Sequence, residues 1–282
     1  MPVLIAAALF GTTGTALARA PLGTSALGAG SLRLTVGSLG LAIVARHGLS
    51  ALRRAVAPLV IGGLGVAVYQ LAFFWSTRST GVAMATVTTI AVSPVASRII
   101  GRVRGRAAPP TGWYVATAVL IVGLVLLVSG GSDSATFSTV GVVAAVVAGT
   151  AFAAYTEAGS VVLARGADST ATMAGLFGIG AVASWLVLPF QSLRWAVSAR
   201  GVLVLAYLGI VTLTVAYVAF GRGLRRLAPS SVVVLTIVEP LVASILAVTV
   251  LDERLSPIGW LGAVVILAGV VIASVAGGDQ SS

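Results

Sequence analysis

Cysteine and lysine are absent from this 282-residue chain, histidine occurs once, and only seven residues are acidic. Without cysteine there can be no disulfide, thiol nucleophile or thiolate metal ligand. The single histidine, His47, follows Arg46 in an expected loop, so a histidine-based metal centre is excluded as well. No metal or other cofactor is therefore expected. Neighbouring acidic residues occur only at Asp252-Glu253, which reads as a solvated turn. An integral-membrane enzyme would need a nucleophile, a metal site or a carboxylate cluster. None is evident, so no catalytic residue is expected and the chain is not read as an enzyme. Nothing resembles a nucleotide-binding loop, so ATP-driven transport would need a separate subunit.

Charge of either sign is also scarce. Charged residues make up 9% of the chain and hydrophobic residues 58%, with a mean hydropathy of +1.10, whereas about a quarter of a soluble domain is charged. What fills the chain is a succession of apolar runs separated by arginine, glycine and proline. A helix rises 1.5 Å per residue and the hydrocarbon core is about 30 Å thick, so about 20 apolar residues span it. Only helices and closed barrels keep every backbone polar group bonded there, and these runs are continuous rather than alternating. The fold class is therefore all-α integral membrane, with room for about ten transmembrane helices and no separate soluble domain. The predicted spans cover 2–18, 25–45, 56–76, 80–100, 112–129, 138–162, 171–190, 201–221, 230–250 and 257–276. The first lacks a basic residue before Arg19, so it reads as a retained helix rather than a cleaved signal peptide.

A net charge of +10 would suggest nucleic acid in a soluble protein. Here it reads as loop arginine that sets orientation, and no nucleic-acid partner is expected. One set of alternate loops holds Arg46, Arg53, Arg54, Arg98, Arg102, Arg104, Arg106, Arg165, Arg222, Arg225 and Arg226. The other holds Arg19, Arg78, Arg194, Arg200 and Arg254. The richer set is expected to face the cytoplasm, which makes the chain a multi-pass protein of the cytoplasmic (plasma) membrane with both termini cytoplasmic.

The two halves resemble each other. Ser93-Pro94 lies in Thr-Ile-Ala-Val-Ser-Pro-Val-Ala-Ser, and Glu239-Pro240 in Thr-Ile-Val-Glu-Pro-Leu-Val-Ala-Ser. Pro110-Thr-Gly-Trp113 matches Pro257-Ile-Gly-Trp260, and each opens an apolar helix ending in Gly-Gly. Five helices per half is an odd number, so the second copy enters the membrane upside down. Two inverted five-helix repeats, 1–131 and 132–282, follow, an arrangement that in secondary transporters puts the substrate site at the repeat interface.

Val238-Glu-Pro-Leu-Val-Ala-Ser and Leu251-Asp-Glu-Arg-Leu-Ser-Pro-Ile-Gly-Trp-Leu-Gly resemble the end of EamA-type permeases of the drug/metabolite transporter superfamily. Leu9-Phe-Gly-Thr-Thr-Gly14 is similar to that family's opening motif, and Arg33 stands where the family often has an arginine. The resemblance covers essentially the whole chain. It implies a ten-helix, two-repeat carrier of small metabolites, such as amino acids or drugs, often working outward.

A charge inside hydrocarbon costs roughly 2.5–3.5 kcal/mol on insertion scales and persists where it faces a cavity or a partner. Glu239 precedes Pro240, whose missing N–H frees a carbonyl one turn earlier. A carboxylate there suits a cationic group or a proton, or is a structural glutamate near one face. Glu157 is either a snorkelling interfacial residue or a cavity ligand. Arg33 suits pairing with Glu239 or with a substrate carboxylate, or snorkels outward. Thr86, Thr89, Ser93 and Ser97 share one helix face, and Tyr207, Thr214 and Tyr217 another. With Thr12, Thr13, Tyr69, Gln70 and Tyr155, these residues suit either a substrate cavity or ordinary close packing. Gly259, Gly262 and Gly269 read as packing alone.

The expected function is a secondary transporter of a small metabolite by alternating access, as an exporter. Alternatives are an uptake carrier of the same fold, or a scaffold or channel without coupled transport. The partners are a small-molecule substrate and the lipid bilayer. Proton coupling, and a monomer or a homodimer, stay open.

Overall fold

The computed structural model describes residues 2–129, 138–251 and 254–278. The Asp252-Glu253 pair, Gly130-Gly131 and the boundary between 131 and 132 fall outside them. Among the described residues the regular structure is helical. In chain order the helices are α1 (Pro2–Ala18), α2 (Ala26–Val44), α3 (Val56–Thr80), α4 (Val82–Val103), α5 (Thr111–Ser129), α6 (Thr139–Ala164) and α7 (Ser169–Ser184). They continue as α8 (Ala199–Ala206), α9 (Ala216–Leu224), α10 (Pro229–Leu235), α11 (Val238–Val250) and α12 (Pro257–Gly278). A π-helical stretch, Tyr207–Val215, joins α8 and α9 into one rod, Ala199–Leu224. Among the described residues, eight segments are long and apolar enough to cross a membrane, while Pro2–Ala18 and Pro257–Ala273 are apolar and shorter.

Local chemistry sets the helix starts. Ser25, Ser138 and Ser198 each accept from the backbone N–H three residues on, and Asp168 accepts from both Thr170 and Ala171. Each cap satisfies donors that the first turn would leave orphaned. Pro229 sits at the start of α10, where its missing N–H loses nothing. Gly81, at φ +83°, makes the turn between α3 and α4 with no loop at all.

The outer surface carries many large apolar side chains, Ile61, Leu186, Leu261 and Val264 among them, as a bilayer-embedded protein requires. Inside, small residues let helices approach closely. A Cβ on Gly262 would fall 2.2 Å from the Leu127 nitrogen, and one on Gly269 2.6 Å from Leu120. Gly262 and Gly269 are therefore packing residues in the α5–α12 seam, whereas the atoms nearest a Cβ at Gly259 belong to Leu255, just before α12.

The helix pairing has a pattern. Both α3 and α4 pack on α6, while the α8–α9 rod and α11 pack on α1. Likewise α2 packs on α7 and α5 on α12. The Arg-rich loops gather at one end: Arg165 donates to the Arg54 carbonyl at 3.3 Å, and Gly223 abuts Val3. At the other end Arg19 donates to the Val250 carbonyl at 3.0 Å, and Ser25 hydrogen-bonds Gln191.

Candidate functional site

A cavity of about 490 Å³ opens between the helices of the two halves. On α1, α3 and α4 its lining runs from mid-helix, and on α11 from the first turn, toward the end poor in arginine: Phe10 to Leu17, Val66 to Thr77, Thr86 to Ser93 and Glu239 to Ser244. On the Arg-rich side an aromatic layer closes it. Tyr217 stands 3.9 Å from Phe177 and 4.9 Å from Phe10 between ring centroids, and Phe220 backs it. The Tyr155 and Tyr217 hydroxyls lie 3.1 Å apart in a hydrogen bond. All five side chains are buried. The hydroxyl bond gives each buried tyrosine tip a partner, as buried tyrosines usually have.

Most residues singled out in the sequence face this cavity: Thr13, Arg33, Tyr69, Gln70, Thr86, Thr89, Ser93, Tyr155, Tyr217 and Glu239. Thr12 does not. The face of α1 turned inward is Phe10, Thr13, Gly14 and Leu17, at helical spacing. One step of the helix rotates Thr12 away, and its hydroxyl bonds back to the Leu9 carbonyl at 2.7 Å. Glu157 lies outside the lining as well. Its carboxylate, 2% exposed, pairs with Arg106 at 2.8 Å and accepts from Ser97 at 3.0 Å. Ser97 thus leaves the stripe to serve Glu157. The expected face of Tyr207, Thr214 and Tyr217 also dissolves. Between them the helix is π-wound, with a turn longer than the 3.6 residues the spacing assumes. Tyr207 is exposed, Thr214 donates to the Gly37 carbonyl at 3.1 Å, and only Tyr217 reaches the cavity.

The cavity's polar groups differ in how they are satisfied. The Thr89 hydroxyl donates to the Ala145 carbonyl at 3.2 Å and that of Ser93 to the Thr89 carbonyl at 2.6 Å. These two therefore serve the helix framework while lining the cavity. Thr13 Oγ1, Arg33 Nε and Gln70 Nε2 are buried with no hydrogen-bond partner among the described residues. Leaving such a group unsatisfied costs about 1–3 kcal/mol. Arg33 is half-buried and makes no ion pair with Glu239 among the described residues; its Nη2 donates to the Thr212 carbonyl at 3.1 Å.

Glu239 is half-buried and, among the described residues, its side chain makes no hydrogen bond or ion pair. Its backbone explains how it gets there. Pro240 has no N–H to give, and the Glu239 N–H donates three residues back, to the Thr236 carbonyl at 2.9 Å. The tightened turn at Thr236-Ile237 separates α10 from α11 and places Glu239 in the first turn of α11. A helix N-terminus favours negative charge.

Phe73, Phe74, Phe152 and Phe177 also line the cavity, and sequence reasoning passed over them. Phe74 follows Gln70 by one helical turn, the one signal that could have added it. The lining can therefore enclose a small molecule between aromatic faces, with one guanidinium, one carboxylate, one amide and several hydroxyls to orient it.

A model of the EamA-like transporter family matches residues 139–275. A Bacillus subtilis (strain 168) protein named "Uncharacterized transporter YwfM" is 32% identical over 282 residues, spanning 99% of this chain and 95% of that protein. A solved structure known as "Crystal structure of protein" superposes with a TM-score of 0.84, covering 100% of this chain and 98% of its own. At 20% identity that likeness speaks for the fold alone.

Proposed function

This chain belongs to the EamA-like transporter family, and from that premise we propose that it is a secondary carrier exporting a small metabolite by alternating access. The observation that carries the reading is the cavity itself. It sits at the seam of the two halves, holds an unpaired Glu239 beside a broken helix, and is sealed on the Arg-rich side by the aromatic layer. Broken helices beside a mid-membrane site are how secondary transporters coordinate substrates and coupling ions.

The carrier is built of ten transmembrane helices in two inverted repeats, with the α8–α9 rod and the α10–α11 pair each counted as one span. The packing pattern supports this. Exchanging the halves turns α3 and α4 on α6 into the α8–α9 rod and α11 on α1, and leaves α2 on α7 and α5 on α12 unchanged. With the Arg-rich end and both termini in the cytoplasm of a plasma-membrane protein, the cavity opens outward. Separation of the Phe10, Phe177 and Tyr217 layer would then open it inward. Glu239 binds the cationic end of the substrate or carries the coupling proton.

The test is a comparison of extracellular metabolites between a deletion strain and an overexpressing strain, followed by flux of any changed metabolite in proteoliposomes. A metabolite that rises outside the overexpressing cells, and moves in response to an imposed gradient, is the expected result. Gradient-independent flux through a permanently open path would favour a channel instead.

A further inference from the structure

Three residues that line one cavity each carry a buried polar atom with no hydrogen-bond partner among the described residues: Thr13 Oγ1, Arg33 Nε and Gln70 Nε2. Two of them are N–H donors, and their placement is coordinated. Gln70 is 6% exposed, and its amide lies directly on α2, where a Cβ at Gly30 would fall 2.1 Å from Nε2. Gly30 and Arg33 are three residues apart and share a helix face. The Gln70 amide thus rests on α2 one turn from the position that carries Arg33, and glycine at 30 is what makes room for it. Arg33 is anchored at Nη2 by the Thr212 carbonyl, within the π-wound stretch, and keeps Nε uncommitted.

Donors held in place, desolvated and left empty-handed form the counterpart of an anion. We propose that Arg33 and Gln70, with Thr13, form a subsite for a monoanionic carboxylate of the transported molecule. This rests on the carrier reading above and deepens it. Guanidinium geometry suits a planar carboxylate, which can take two parallel N–H bonds. The local charge favours one negative charge over two: the same cavity holds the unpaired Glu239, so a second charge meets repulsion. Phe73 and Phe74, on the same helix as Gln70, give the body of the molecule an apolar seat.

The test uses full-length protein in lipid nanodiscs and three probes sharing one ring: 3-phenylpropionate, 3-phenylpropanol and phenyl phosphate. The carboxylate should bind most tightly. Arg33→Gln and, separately, Gln70→Leu should each weaken 3-phenylpropionate by about ten-fold, the loss expected of a charge-assisted hydrogen bond, with little change for the alcohol. Two variants on different helices keep the test valid if one fails to fold. Equal affinity for carboxylate and alcohol, no binding of 3-phenylpropionate, or indifference to both substitutions overturns the subsite. Tighter binding of phenyl phosphate overturns its assignment to a monoanion. In each of those cases, gradient-driven flux of an identified metabolite by the unmodified protein leaves the carrier reading standing. Its absence removes both.

Discussion

Glu157 and Glu239 are both carboxylates inside apolar helices, yet they occupy opposite situations. Glu157 is buried at the Arg-rich end, with Arg106 at 2.8 Å and Ser97 at 3.0 Å, and does not line the cavity. Glu239 is half-buried, faces the cavity, and has no partner among the described residues. The two prolines differ in parallel. Pro94 lies inside an unbroken α4, where the Ser93 hydroxyl bonds back to the Thr89 carbonyl. Pro240 follows a break, and the residue before it is a glutamate, an acceptor that cannot make that bond when ionised. Depth in the membrane therefore does not mark a working carboxylate. A group whose charge is already answered by protein holds structure, and one whose charge is left open is available to substrate or proton.

The sharpest way to break this comparison is to neutralise each carboxylate in turn. Glu239→Gln should abolish gradient-driven transport while the protein still folds and inserts, because no protein contact is lost. Flux in proteoliposomes alongside size-exclusion profiles would decide it, and wild-type rates in the Gln variant would dismiss the role. Arg106→Ala should instead strike stability. Stranding a buried carboxylate costs about 3–5 kcal/mol when the pair is fully enclosed. Arg106 is 36% exposed, so a value nearer 2–3 kcal/mol is expected once solvent screening is allowed for. Thermal unfolding of the purified protein measures it. Glu157→Gln should be milder, since it leaves a cation that already reaches solvent. A larger loss from Glu157→Gln than from Arg106→Ala would refute the account of which partner depends on which.

Why one glutamate was legible in the sequence and the other was not has a physical answer. The environment of Glu239 is written locally: Pro240 removes a backbone donor wherever it sits, so a break beside the carboxylate can be foreseen from two adjacent residues. The partner of Glu157 depends on the chain reversing after α4. Gly105, at φ +76°, turns it so that the Arg106 N–H reaches the Gly101 carbonyl and its side chain returns to α6, where it also bonds Ser160. Counting Arg106 as a loop charge misses this. The threonine and tyrosine lining was visible because hydroxyls are rare in hydrocarbon and stand out at helical spacing. Phe73, Phe74, Phe152 and Phe177 were not, since phenylalanine suits lipid, core and cavity alike. The Tyr207 face failed because no sequence signal marked the π-wound stretch that alters the spacing.

A smaller effect sharpens the contrast between cavity and framework. Thr86 lines the cavity and is half-buried, whereas the Thr89 hydroxyl is tied to α6. Thr86→Leu should cut flux several-fold with little change in stability, because it fills empty space. Thr89→Leu should lower both, and Tyr217→Leu likewise, since Tyr217 also closes the aromatic layer. Phenylalanine at Val119 or Val265, outside the lining on α5 and α12, should spare transport per folded molecule. Transport assays normalised to monodisperse protein separate the cases, and equal losses at Thr86 and Val119 would mean the cavity is not the path.

The smallest perturbation tests the two ends rather than the two carboxylates. The chain has no cysteine, so a single introduced thiol is labelled without background. Ser198 is exposed at the end poor in arginine, and Thr77 lies in the cavity lining nearest that end. Ala107 and Ala228 are exposed at the Arg-rich end. Ser132, expected on the outer side, lies outside the described residues. Arginine retained in short loops favours the cytoplasm, so an impermeant thiol reagent applied to intact cells should label Ser198→Cys, Thr77→Cys and Ser132→Cys. Ala107→Cys and Ala228→Cys should react only after the membrane is opened. None of the loop substitutions alters the cavity, so transport should hold while topology is read. The reverse labelling would turn the cavity toward the cytoplasm and make the Glu157–Arg106 end the outer one, refuting the assigned orientation.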